Sequence, residues 1–292
     1  MADKVYDRTT EDVGNIVNFG HVNVCIPEQR SATAFYVSGL GLTRDPYMVT
    51  GITNMWVNVG MSQFHLPTAE PQVVRGTTGL VIPDREALLA RLAKARKDLD
   101  GSRFDFRETN DAVETVCPWG NRIRCHAPDP DRFGRMALGM AYIEFDVPPG
   151  TAAGIARFYR EIFAAPATVH AAKEGPVARV VAGDRQHLVF RETDAPQQPY
   201  DGNHFQMYIA AFSEPYRKLR ELGLVTQESG QYQYRFKDIV DLDTRAVLYT
   251  IDHEVRAMSH PMYGRPLINR DPSLTLQNYA PGRESASWAS EH

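Results

Sequence analysis

Apolar and polar residues alternate at Val22, Val24 and Ile26, with His21, Asn23 and Cys25 between them. The same alternation returns at Ile143, Phe145 and Val147, interleaved with Tyr142, Glu144 and Asp146. A two-residue period predicts a half-buried strand, one face feeding a core and the other lining a cavity or meeting water. Its return predicts a duplicated chain. After a first strand over 16–26, closed by Pro27, the residues Ala32, Phe35 and Tyr36 recur at helical spacing within a helix expected over 31–38. The Gly39-Leu40-Gly41-Leu42 turn stops it, and strands follow over 42–49, 53–59 and 62–66, punctuated by Gly51, Gly60 and Pro67. The order is β-α-β-β-β.

That order is repeated along the chain. A strand over 79–83 leads into an amphipathic helix over 84–92 with Asp84 placed to cap it, then strands over 104–108, 112–117 and 122–126. A third round has a strand over 141–147, a helix over 152–163 and strands over 178–182 and 186–191; a fourth has a strand over 204–209, a helix over 215–222 stopped by Gly223, and strands over 233–237 and 247–255. The expected domain plan is a leader over 1–15, a first domain of two modules over 16–128, a Pro/Asp/Arg-rich linker over 129–138, a second domain of two modules over 139–257, and an aperiodic arm over 258–292.

Composition narrows the field of partners. With 292 residues, 43% hydrophobic and 23% charged, the chain has the makeup of a soluble globular protein with room for two cores. A net charge of −4 gives no general attraction to nucleic acid or anionic membranes, and neither partner is expected. Cys25, Cys117 and Cys125 are odd in number and lack C-x-x-C spacing, so they read as reduced core thiols. No apolar signal-like region follows Met1 and no run reaches transmembrane length, which makes the cytoplasm the expected compartment.

Three phrases carry a family likeness: Phe35-Tyr36-Val37-Ser38-Gly39-Leu40-Gly41-Leu42, like F-Y-x-x-x-L-G-L; Gly60-Met61-Ser62-Gln63-Phe64-His65-Leu66, like G-x-x-x-L-E-L; and Pro118-Trp119-Gly120-Asn121-Arg122-Ile123-Arg124, like D-P-x-G-N-x-I-E. With the four modules, they resemble the vicinal oxygen chelate superfamily, which includes glyoxalase I, bleomycin- and fosfomycin-resistance proteins and extradiol dioxygenases. The resemblance implies an α+β fold of four βαβββ modules paired into two half-open β-barrel domains. It also implies up to four metal-ligand positions on the concave face of each barrel. On the first and fourth strands of the first half those positions match His21 and His65, and on the fifth strand of the second half Gly202-Asn203-His204-Phe205-Gln206-Met207 places His204. The eighth-strand position falls, with one residue of slack, at Tyr249.

Some members of the superfamily build a site across halves. That arrangement gathers His21, His65, His204 and the end of the last strand in one cavity, and leaves Tyr142, Leu188, Thr77 and Arg124 in a sister cavity with little to bind a metal. A lone strand histidine is more often a hydrogen-bonded structural residue; the weight comes from three falling at implied positions. Imidazoles suit one divalent ion, whether Fe, Zn, Mn or Ni. Glu254 is a further candidate as ligand or general base, His253 as ligand or acid/base, and Tyr249 as ligand or substrate hydrogen-bond partner. Thr250, Asp252 and Glu254 form the polar set of the last strand, opposite Tyr249 unless a bulge intervenes. Trp56, Asn58, Gln206, Tyr208 and Tyr263 are candidates for the substrate wall, and the residues after 257 for a lid. The expected function is a metal-dependent enzyme on a small oxygen-rich or aromatic substrate, dioxygenase-like, with a glyoxalase-like lyase or isomerase and a metal-free small-molecule binder or sequestering protein as alternatives. The halves pair either within one chain or across a homodimer.

Overall fold

The structure, a computed structural model, describes residues 6–47, 53–173, 175–265 and 267. The first module holds β1 (Ile16–Asn23), α1 (Gln29–Ala32), which continues as a π-helical segment (Thr33–Gly39), and β2 (Thr43–Arg44), β3 (Asn54–Val59) and β4 (Ser62–Pro67). The second holds β5 (Gly76–Val81), α2 (Arg85–Ala95), β6 (Asp105–Glu108), β7 (Val113–Val116) and β8 (Arg122–His126). A short helix, α3 (Pro130–Phe133), occupies the linker. The third module holds β9 (Gly139–Val147), α4 (Ala152–Phe163), β10 (Ala167–His170), β11 (Val177–Val181) and β12 (His187–Glu192), and the fourth β13 (His204–Ile209), α5 (Ser213–Glu221), β14 (Val225–Gly230), β15 (Gln233–Val240) and β16 (Val247–Ala257).

Local chemistry explains most boundaries. The Asp84 side chain accepts from the Ala87 N–H and opens α2, as its capping position predicts. Glu28 accepts from the N–H groups of Arg30 and Ser31, which starts α1 at Gln29, earlier than the apolar spacing alone suggests. β10 and β14 escape a hydrophobic-pattern reading because both are edge strands with mostly exposed side chains, so no core face imposes an alternation on them. The strand expected over 42–49 is short, Thr43–Arg44, and residues 48 and 49 lie outside the described residues, as do the arm beyond 267 and the start of the leader.

The modules join across the sequence halves. One eight-stranded sheet runs β14-β15-β16-β13-β1-β4-β3-β2, and the other runs β10-β11-β12-β9-β5-β8-β7-β6. The first sheet is thus built from the first and fourth modules, the second from the two in between, and each takes one module from 16–128 and one from 139–257. Antiparallel pairs, β1 with β13 and β5 with β9, form the two seams. Neither sheet closes, giving the expected α+β fold of two half-open barrels. The helices cover one face of each sheet: α4 buries Ile155, Phe158, Tyr159, Ile162 and Phe163, which pack with Phe190, Phe205 and Phe236 into a continuous core. The three cysteines are free thiols, and burial pushes Cys125 up to about 12. No helix among the described residues is long and apolar enough to cross a membrane.

Candidate metal centre

Strand register brings the three histidines together. Asn23 on β1 is paired with His204 on β13 at one side and with His65 on β4 at the other. His21 lies two residues from Asn23, on the same face. The rings of His21 and His65 have centroids 5.8 Å apart, those of His21 and His204 5.7 Å. One ring nitrogen from each of His21, His65 and His204 lies within 4.8 Å of the others.

A bulge aims His21. The β1–β13 register pairs Phe19 with Met207 and His21 with Gln206, so Gly20 has no opposite number. Gln186 serves the backbone at this point: it accepts from the Phe19 N–H at 2.9 Å and donates to the carbonyls of Phe19 and Met140 and to Ser62 Oγ at 3.2, 2.9 and 3.0 Å. Trp56 supports the cluster from β3, stacked on His65 with centroids 3.9 Å apart and edge-on to His21 at 5.0 Å.

The donor set fits a divalent ion. His21 Nε2 and His65 Nε2 are buried with no hydrogen-bond partner, an arrangement that costs stability unless something accepts their lone pairs. Burial pushes His21 well below its ordinary value, and burial with the charge of His204 takes His65 down to about 3. Both rings are therefore neutral at pH 7, the form that ligates.

Glu254 lies beside the cluster but is already occupied. Its Oε2 is 3.4 Å from His204 Nε2; Arg256 pairs with its Oε1 at 2.5 Å, and Arg235 makes a second ion pair with Oε2. Burial works to raise this carboxyl, but the hydrogen bond from His204 and the charges of Arg256 and Arg235 outweigh it and hold it well below the usual carboxylate range. Arg235 also pairs with Asp252 at 3.1 Å. The polar alternation of β15 and β16 puts both arginines on the face of Glu254, a signal present in the sequence.

His253 and Tyr249 lie on the other face of β16. His253 is fully buried, stacks on Phe236 with centroids 4.0 Å apart, and is bonded through Nε2 to Tyr159 OH at 2.6 Å and through Nδ1 to the Ile251 carbonyl at 2.7 Å. Tyr249 packs under the Arg75 guanidinium, 4.4 Å from its ring centroid, and against Phe145. Alternation separates His253 from Glu254, the contacts with Phe145 and Arg75 place Tyr249 beyond a register shift on β16, and neither joins the imidazole cluster. His253→Leu is expected to lower stability by about 1–3 kcal/mol, because Tyr159 OH loses its buried partner, while metal content stays at the wild-type value. Denaturant unfolding and elemental analysis check the pair of outcomes.

A cavity of 630 Å³ meets the cluster at His21 and is also bordered by Gln63, Gln206, Tyr208, Arg256 and Tyr263. Asn58 is drawn off its floor by Gln63, which donates to Asn58 Oδ1 at 2.6 Å and to Asp45 Oδ2 at 2.7 Å. The first residues of the arm cross the mouth. Tyr263 packs edge-on against Tyr208 at 4.9 Å, and Arg265 reaches Asp45 at 2.6 Å in an ion pair buried on both sides. Partners so distant in sequence leave no local trace of this contact.

The sister sheet has arginine-carboxylate pairs where the first has imidazoles. Arg122 binds Asp146 at 2.5 Å, Arg191 binds Glu144 at 2.8 Å and Arg124 binds Glu114 at 2.9 Å, and Tyr142 OH bonds His126 Nε2 at 2.9 Å. Thr77 and Arg124 border its 380 Å³ cavity. Leu188 is a correction: it is fully buried in the core, and Val189, paired with Glu144, takes the place His65 has in the first sheet. The metal-ligand-like group found among the described residues is the first one.

No protein-family model and no curated protein matches the sequence. Among solved structures, a candidate dioxygenase from Bacillus subtilis superposes with a TM-score of 0.56 at 15% identity, over 84% of this chain and 86% of that one. Glyoxalase I from Zea mays superposes with a TM-score of 0.55 at 12% identity, over 86% of this chain and 95% of that one. The chain shares the fold of these two proteins, built here from two open eight-stranded sheets. Identities this low speak for the fold; the chemistry rests on the residues.

Proposed function

We propose that the protein is a divalent-metal-dependent enzyme of the vicinal oxygen chelate type, dioxygenase-like, acting on a small aromatic substrate with neighbouring oxygens. The observation that carries this reading is the convergence of His21, His65 and His204, two of them with orphaned buried nitrogens. These three residues would hold the ion, and a bound ion supplies a Lewis acid and a template for two adjacent substrate oxygens. Tyr263 and Arg265 border the cavity.

Glu254 favours the dioxygenase-like reading over a glyoxalase-like lyase or isomerase. Moving a proton beside a carbonyl calls for a general base with a pKa near the working pH. The carboxylate next to this cluster is paired with two arginines and held well below the usual carboxylate range. A catechol-like substrate needs less of the protein, because its own hydroxyls provide the acidic protons. The test is oxygen uptake by iron(II)-loaded protein, made without a His tag, against a panel of catechols. Oxygen consumption matched to ring cleavage is the expected result. Isomerisation of a hemithioacetal without oxygen uptake would move the assignment to the glyoxalase-like class, and failure to retain any metal would leave a metal-free binder.

A further inference from the structure

Gln206 stands at the centre of the site and binds nothing there. It is fully buried, it borders the 630 Å³ cavity, and neither its amide oxygen nor its amide nitrogen has a hydrogen-bond partner. Its strand neighbours are His21 on β1 and Glu254 on β16, so it rises between the imidazole cluster and the clamped carboxylate. Gly20 makes room for it. A Cβ at that bulge position would collide with Gln206 Oε1 and stand 3.0 Å from the Tyr208 ring. Two unmet polar atoms in a buried side chain are costly, and a leucine at this position would avoid the cost. The fold instead accommodates an amide, with a glycine beside it.

We propose that Gln206 is a specificity-determining residue that reads a carboxamide or lactam edge on the substrate, accepting from its N–H through Oε1 and donating to its carbonyl through Nε2. The inference rests on the metal-dependent reading and narrows it, from aromatic diols in general to those with an amide attached to or within the ring. A carboxylate only accepts, so it serves Nε2 and sets a negative charge against Oε1. A hydroxyl meets one end of the amide at a time. An amide edge satisfies both ends in one planar contact, as glutamine does with the paired donor and acceptor of adenine. The cavity has the volume of a small-molecule site.

The experiment is calorimetric titration of wild-type protein and Gln206→Leu with catechol, a vicinal dihydroxybenzamide, the matching dihydroxybenzoate and its methyl ester, with metal content measured on every sample. Wild-type protein should prefer the amide to both the ester and catechol by about tenfold or more, the scale of a paired hydrogen bond to a buried group. Gln206→Leu should bring that ratio near one while keeping its metal. Equal amide-to-ester ratios in the two proteins, or a preference for the carboxylate, overturn the inference. The amide-to-ester comparison reads the Oε1 contact in wild-type protein alone, should the variant fail to fold. Benzamide against methyl benzoate on metal-stripped protein reads the same contact without the ion. Absence of metal with the benzamide preference intact would therefore sink only the metal-dependent reading, and retained metal without any amide preference would sink only this one.

Discussion

Replacing His21 and His204 together by alanine abolishes stoichiometric metal binding. Wild-type protein, reconstituted and dialysed, is expected to retain about one divalent ion per chain, and the double variant to bind at least about a thousandfold more weakly, a loss of about 4 kcal/mol. The two rings leave His65 as the remaining member of the cluster, and one imidazole does not hold an ion against buffer. Unfolding gives a second readout through linkage. Free metal at about a thousand times the wild-type dissociation constant stabilises wild-type protein by about 4 kcal/mol and the variant by about 0.4 kcal/mol or less. The metal-free proteins should differ less, because deleting the orphaned His21 nitrogen offsets part of the packing lost with the ring. Proton linkage separates them as well. His65 has a folded pKa of about 3 against an unfolded 6.5, and His21 is shifted the same way, so the unfolded chain binds more protons between these values. Stability of the metal-free wild type therefore rises with pH up to about 6.5, with the His21 share of that slope missing from the double variant. An equivalent of metal retained by the double variant would remove the cluster from consideration as the binding site.

How much of this was legible in the sequence depends on whether a feature obeys a period. His21, Trp56, His65 and His204 stand on strands legible from the pattern, and it is the resemblance that puts the three histidines at ligand positions. Glu254 is legible from its alternation with His253 and Val255, whereas Tyr249 lies beyond a shift in the β15–β16 register between Thr250 and His253, which a strict two-residue count does not see. The Leu188 position went astray by one residue because β12 is bounded by polar residues at both ends, and its faces are told apart only by what packs on them. Features set by long-range contact left no periodic mark. The Gln186 clamp on the β1 bulge, the union of first and fourth modules in one sheet, and the Asp45–Arg265 pair each depend on chain segments meeting after the sheets assemble. Charge neutralisation of Glu254 needs the β15–β16 register, which pairs Arg235 with Glu254, and hairpin register cannot be read without the turn.

Glu254→Ala is expected to destabilise the protein by about 3–5 kcal/mol, the cost of removing one partner from a buried ion-pair network. Glu254 is 3% exposed, and the arginines paired with it, Arg235 and Arg256, are 19% and 9% exposed. Without the carboxylate two guanidinium charges remain in a poorly hydrated site, next to His204 and facing the place where a cation would bind. Asp252 takes up part of the Arg235 charge, at 3.1 Å, whereas Arg256 is left with neutral partners, Gln233 and Tyr208. The loss of stability should therefore be accompanied by weaker metal binding, through charge repulsion alone. Glu254→Ala with Arg256→Met separates the two effects. If Glu254 acts by balancing charge, the second substitution restores stability and metal affinity together, since an apolar side chain of similar length removes the unpaired cation. If Glu254 ligates the ion directly, stability recovers and affinity does not. Denaturant midpoints and metal titrations on the single and double variants decide between these roles, and an unchanged midpoint in Glu254→Ala would show that the arginines are hydrated in solution and the network is not buried.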